Sequence, residues 1–166
     1  MSAAEANEHH VLKAKIEEWL ESEGIAFSSV SDLNSFFHIQ ADLKNVPIHI
    51  SESKVRKGVL AVQGSMELAP DQLEKYQSIR AEDKKALFLA LFAMLDKTEY
   101  HYMLQENFAV KNWLKIQRPL YIEDLTRTML LNEIKNLNTR FVNINYLVNE
   151  TLAEFKPATD ESSMYK

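Results

Sequence analysis

The chain has 166 residues, 46% of them hydrophobic, and a formal net charge of -5. A chain of this size buries about two thirds of the surface its unfolded form exposes, so one hydrophobic core can hold it without a disulfide or a structural metal. The absence of cysteine excludes disulfides, thiolate zinc sites, iron–sulfur clusters and cysteine nucleophiles, and the negative balance opposes generic nucleic-acid binding.

The start, MSAAEANEHH, is polar and holds no apolar stretch of signal-peptide length. Residues 1–8 are expected to be a flexible terminus. A helix is predicted from His9 or His10, with Leu12, Ile16, Trp19 and Leu20 on one apolar stripe. Gly24 stands where a helix C-terminal cap belongs.

A β region follows. Residues 25–30 read as a short strand, and 31–35, rich in Ser, Asp and Asn, as a turn. Residues 36–42 alternate: Phe37, Ile39 and Ala41 face one way, Phe36, His38 and Gln40 the other. Lys44 and Asn45 make a hairpin turn into a strand with Val46, Ile48 and Ile50 on one face. Pro47 lacks an N–H for the ladder, which places it at an edge or a strand start. Lys54, Arg56 and Lys57 form a basic turn, and 59–66 a fourth strand, broken or bulged at Gly64.

Helical sequence comes next. Pro70 suits a helix's first turn, Asp71 adds favourable charge there, and Leu73, Tyr76 and Ile79 form a stripe. Residues 80–83 mark a kink or a second start. The longest apolar run, 86–95, falls well short of the about 20 residues a transmembrane helix needs. Apolar all round, it reads as a central helix covered on several sides and packed on the sheet.

Two strands follow. In the first, Tyr100, Tyr102 and Leu104 alternate with His101 and Met103. The second covers 113–122, with Leu114 and Ile116 facing opposite to Trp113 and Lys115, and Pro119 at an end or an edge. The last element is a helix that Asp124 or Thr126 can cap. Its seam of Leu130, Ile134, Leu137, Phe141, Ile144 and Val148 steps by 4-3-4-3-4, and Leu152 and Phe155 extend it. Roughly 30 residues of helix span about 45 Å, enough to reach beyond the chain's own sheet. Asparagines flank the seam, so packing rather than propensity must hold it. Pro157 ends it, and 157–166 are expected to be flexible.

Strands and helices segregate, which predicts an α+β fold. It is an antiparallel sheet of about five to six strands covered by helices, in the order α-β-β-β(-β)-α-β-β-α, forming a single domain over 9–156.

Chemistry-bearing residues are sparse. The three glycines cannot build a phosphate loop. If 36–42 and 46–51 pair as a hairpin, His38 and His49 become diagonal neighbours on the face opposite Ile39 and Ile48, within reach of a shared ion. Glu52 or Asp42 could then supply oxygen. Polar surface is the simpler reading of the pair, so no metal or cofactor is expected. His9 and His10 lie at a mobile start, and His101 packs beside tyrosines. The serines show no nucleophile elbow. The carboxylate pairs Glu82-Asp83 and Glu123-Asp124 stand at helix starts, where capping accounts for them. Tyr100, Tyr102 and Trp113 form either a recognition surface or core under the last helix. The long seam covers the domain's own sheet, and its overhang offers a dimer or partner surface.

The stretches IEEWLESEGIAF (16–27), SFFHIQ (35–40), VPIHI (46–50), LAPDQLEKYQSI (68–79) and LYIEDLTRTMLLNEIKNLNTRFVNINYLV (120–148) resemble a small, mainly archaeal family of uncharacterised conserved proteins, classed as a domain of unknown function. The resemblance implies a fold similar to the type III secretion chaperones: helix, three strands, helix, two strands, helix, often paired as a dimer. Those chaperones bind extended stretches of partner proteins and hydrolyse nothing. The expectation is a cytoplasmic, non-enzymatic protein-binding or chaperone-like module that self-associates and engages neither membrane nor nucleic acid. The alternative is a small metal-dependent or small-molecule enzyme using His38 and His49.

Overall fold

The computed structural model describes residues 3–44 and 46–155, with side chains from residue 7 onward. In chain order the elements are α1 (Ala3–Ser22), β1 (Ala26–Ser29), β2 (Ser35–Asp42), β3 (Pro47–Ser53), β4 (Val59–Met66), α2 (Pro70–Ser78), α3 (Ala81–Leu95), β5 (His101–Leu104), β6 (Leu114–Tyr121), a short 3-10 turn (Ile122–Asp124) and α4 (Arg127–Glu154). The fold is α+β, with a six-stranded antiparallel sheet in the order β1-β2-β3-β4-β6-β5 and four helices. The optional fourth strand is therefore present, and the helical middle is two helices. The hairpin turn at Asn45, the stop at Pro157 and the tail 157–166 lie outside the described residues.

The described chain divides into two compact units. One runs to Gly64 and includes Ile116–Thr139; the other comprises Ser65–Lys115 and the chain from Arg140. In the first, period-two alternation sets the buried layer. β2 buries Phe37, Ile39 and Ala41, β3 buries Ile48 and Ile50, and β4 buries Leu60 and Val62. β1 and β2 carry α1, whose Ile16 and Leu20 are fully enclosed. Each such side chain contributes about 1.5–3 kcal/mol relative to exposure. The helix begins at Ala3, ahead of the expected start at His9. It ends in a turn whose Gly24 takes a φ of 67°, a left-handed conformation that favours glycine.

Three local expectations are corrected. β4 passes through Gly64 without a break, paired with Ile48 in regular register; the irregularity in the β2–β3 ladder lies between Ser35 and Phe37. Pro47 opens β3, the strand start that its missing N–H allows, as expected. Pro119 is neither a strand end nor on an edge strand, because β6 runs on to Tyr121 between β4 and β5. The third is α3, which is not covered on several sides.

In the second unit, α2 starts on Pro70, and the Gln72 side chain accepts from the Ala69 amide at 2.8 Å. Gln72, only 4% exposed, also donates to Asn145 Oδ1 (2.7 Å) and Asn149 Oδ1 (2.9 Å) of α4. The asparagines flanking the seam thus hold a neighbouring helix by directional bonds. Tyr76, Phe108 and Trp113 stack in series, with ring centroids 5.3 and 4.3 Å apart. The Tyr76 hydroxyl donates to the Glu106 carbonyl and accepts from the Phe108 amide.

α4 has 28 residues, about 42 Å at the standard rise. Thr126 caps it, its hydroxyl accepting from the Met129 amide at 3.2 Å.

Candidate functional site

Two features stand out: an imidazole pair on the polar face of the sheet, and an apolar face on α3.

The β2–β3 register sets Gln40 opposite His49 and His38 opposite Ser51. His38 and His49 are therefore diagonal neighbours, as the sequence pattern expects. His38 Nε2 and His49 Nδ1 lie 2.9 Å apart in a hydrogen bond, so one ring donates and the other accepts. The rings meet edge to face at 64°. The same face carries Ser28 of β1 opposite Gln40, and Gln63 of β4 opposite His49. Polar side chains thus run across four strands.

Asp32 approaches from the turn before β2. Its Oδ2 lies 3.8 Å from His38 Nδ1, a buried nitrogen with no hydrogen-bond partner among the described residues. Asp32 is held in place by the Ser35 hydroxyl (2.5 Å) and the Asn34 amide (2.9 Å), and these bonds keep its carboxyl below the ordinary range. Burial pushes the His49 imidazole below its ordinary pKa; His38 adds to this and Asp42 opposes it.

Glu52 does not join this group. It alternates with Ile48 and Ile50 onto the opposite, buried face and is 1% exposed. There His9 Nδ1 bonds its Oε2 at 2.8 Å, and the Gly58 amide donates to its Oε1. His9 stacks flat on Phe36 at 3.6 Å, so it is a fixed part of α1 rather than a residue of a mobile start. Asp42 bonds Gln40 at 2.8 Å. Among the described residues, no three His, Cys, Asp or Glu side chains converge to hold an ion.

α3 departs from the all-round burial its composition implies. It buries only Asp83, Leu87, Leu91 and Leu95, one residue in four. Leu89 is 52% and Phe92 42% exposed, and Lys85, Ala86, Ala90, Ala93 and Asp96 are exposed beside them. A groove of about 760 Å³ borders this face, lined by Tyr76, Lys84, Lys85, Phe88, Leu89 and Glu106 among others. A second, of about 310 Å³, lies in the other unit between α1 residues such as Val11 and Trp19 and the pair Ile122 and Leu125. Phe92 contacts Phe88 and the edge of Tyr102, each at 6.3 Å. Burial, then the Asp96 carboxylate to which it hydrogen-bonds, pushes the Tyr102 phenol above its ordinary pKa.

The remaining candidates distribute as follows. Leu130, Ile134, Leu137, Phe141, Ile144 and Val148 are buried at 0–1% exposure, so the seam itself is interior and offers no surface. Trp113 is core, stacked on Phe108, while Tyr100 lies under the Arg140 guanidinium at 4.3 Å and Tyr102 packs on α3. These three aromatics do not form one cluster. Glu82 and Asp83 stand in the first turn of α3, as expected, but the start carries no side-chain cap bond; both pair with Arg80, at 2.8 and 3.0 Å. In the basic turn, Lys54 is tied to the Leu33 carbonyl.

A protein-family profile described as "Uncharacterized conserved protein (DUF2299)" matches residues 12–151. The chain belongs to this family. No curated protein matches it. It is similar to a solved structure described as the crystal structure of an uncharacterized protein from Methanothermobacter thermautotrophicus. The TM-score is 0.76 at 17% identity, covering 84% of this chain and 98% of the other. At that identity the likeness speaks for the fold. Among the described residues, no helix is long and apolar enough to cross a membrane.

Proposed function

We propose that this DUF2299 member is a non-enzymatic protein-binding module that self-associates through the outward face of α3. One observation carries the reading. Lys85, Leu89, Phe92 and Asp96 follow one another at four, three and four residues along the exposed side of one helix. The stripe is its own complement. In an antiparallel pair of α3 helices related by a two-fold axis, Lys85 meets the partner copy's Asp96 and Leu89 meets the partner copy's Phe92. This is the isologous arrangement of a closed dimer. Ala86, Ala90 and Ala93 flank the stripe and permit the 8–10 Å interaxial distance typical of packed helices.

The finer likeness to secretion chaperones draws its support from a similar order of elements, with one strand and one helix more in this chain. A reducing, cytoplasmic setting belongs to the same proposal, supported by the absence of cysteine. An archaeal setting is supported by the archaeal source of the similar solved structure. The enzymatic alternative using His38 and His49 has less behind it, since neither ring lines either of the two grooves described.

Sedimentation over a hundredfold range of concentration tests the proposal. The expected result is a dimer whose dissociation constant rises at least tenfold in Leu89→Asp and in Phe92→Asp. Lys85→Asp and Asp96→Lys should each weaken the dimer, and the two together should restore it. A chain monomeric at every concentration, or a dimer indifferent to all four changes, overturns the reading.

A further inference from the structure

We propose that His38 and His49, with Asp32 behind them, form a binding site for a borderline divalent transition-metal ion of the zinc type. This inference is independent of the α3 surface and involves no catalytic claim.

The geometry comes first. Zinc binds imidazole nitrogen at about 2.0–2.1 Å in tetrahedral arrangement, which separates two ligand nitrogens by roughly 3.3–3.4 Å. His38 Nε2 and His49 Nδ1 already face each other across 2.9 Å. To admit the ion the rings part by about half an ångström and each tilts so that both lone pairs meet beside the line joining the nitrogens; both ride on adjacent strands whose ladder fixes their backbone.

The far side of His38 is prepared as well. Its Nδ1 is buried, unpartnered among the described residues, and 3.8 Å from the Asp32 carboxylate. An imidazole that ligates a metal through one nitrogen typically gives its other N–H to a carboxylate. An ion held on Nε2 forces the ring proton of His38 onto Nδ1, facing Asp32. The proton now bridging the rings moves to the outer nitrogen of whichever ring donates it, so both ligands stay neutral and the proton count is unchanged. The tilt that admits the ion must also close the 3.8 Å between Nδ1 and Asp32 to hydrogen-bond distance, which gives the orphaned nitrogen a partner. Ser35 and the Asn34 amide hold Asp32 in readiness. With no third protein ligand among the described residues, water completes the coordination, which makes the site exchangeable rather than structural.

Titration of the full-length protein with zinc chloride, followed by calorimetry, tests the site. The expected result is one zinc ion per chain, with binding lost in His38→Ala and in His49→Ala. Asp32→Asn should bind about tenfold more weakly, the usual cost of losing such a carboxylate. His9→Ala and His10→Ala should leave affinity unchanged. A readout that needs no substitution is the imidazole nitrogen spectrum by nuclear magnetic resonance. Two rings should shift on adding zinc, one at Nε2 and one at Nδ1. Absence of binding, or binding that survives both His38→Ala and His49→Ala, overturns the inference; so does loss of binding only when His9 or His10 is removed.

Discussion

α3 and α4 invert the expectation their compositions set. α3 is apolar nearly all round, yet one stripe is buried and Leu89 and Phe92 stand in solvent. α4 is studded with asparagine, yet its seam from Leu130 to Val148 is sealed. Burial follows the spacing of apolar residues, not their number. A seven-residue repeat keeps one line against a neighbour over the whole length of a helix. An uninterrupted apolar run leaves open which side will be covered, and the surplus becomes surface.

The largest effect that tests this contrast is in the seam. Phe141→Ala or Ile134→Ala should cost about 2–5 kcal/mol, read as a lower midpoint in denaturant unfolding. Phe92→Ala and Leu89→Ala should stay within about 0.5 kcal/mol when measured on the monomer. Equal losses in the two helices would erase the distinction. An intermediate effect is expected at the junction of α2 with α4. Gln72→Leu removes the bonds to Asn145 and Asn149 and the acceptor of the Ala69 amide and should cost about 0.5–1.5 kcal/mol, while Asn143→Ala, at an exposed position of the same helix, serves as the comparison.

The smallest effect is electrostatic and concerns the turn after α1 and the first half of α4. Hydrogen bonds from Lys135 and Arg127, at 3.1 and 2.9 Å, hold the exposed Glu23 carboxyl below its ordinary value. A lowered carboxyl pKa contributes stability above the ordinary glutamate range and loses it as the pH falls through the lowered value. Thermal melting of Glu23→Gln should therefore match the parent at acid pH and fall slightly below it at neutral pH, the gap closing in high salt.

Much of this was legible in the amino-acid order. Alternation through 36–42 and 46–51 suffices to put His38 and His49 on one face and on a diagonal, because strand pairing has a period of two and a short turn leaves little freedom of register. The seam of α4 was equally plain. The buried stripe of α3 was not, because it opens on Asp83, a charged residue that hides the four-residue spacing of Leu87, Leu91 and Leu95. Glu52 looked like a companion of the histidines, yet β-strand alternation turns it to the other face, where its partner His9 lies far off in the chain. No local pattern announces that bond. The stack of Trp113 on Phe108 was hidden for a similar reason: Phe108 sits in a connection, where periodicity carries no signal.

The Gln72 contact has a consequence for which alignment the helices adopt. Apolar side chains alone would let α2 settle at several positions along α4 with similar energy, since one greasy turn resembles the next. A single amide reaching two asparagines one turn apart is satisfied at one setting. Shifted by a turn in either direction, the buried Gln72 amide would lose that pair of acceptors. Gln72 therefore acts as an index pin, discarding near-miss packings that hydrophobicity cannot tell apart.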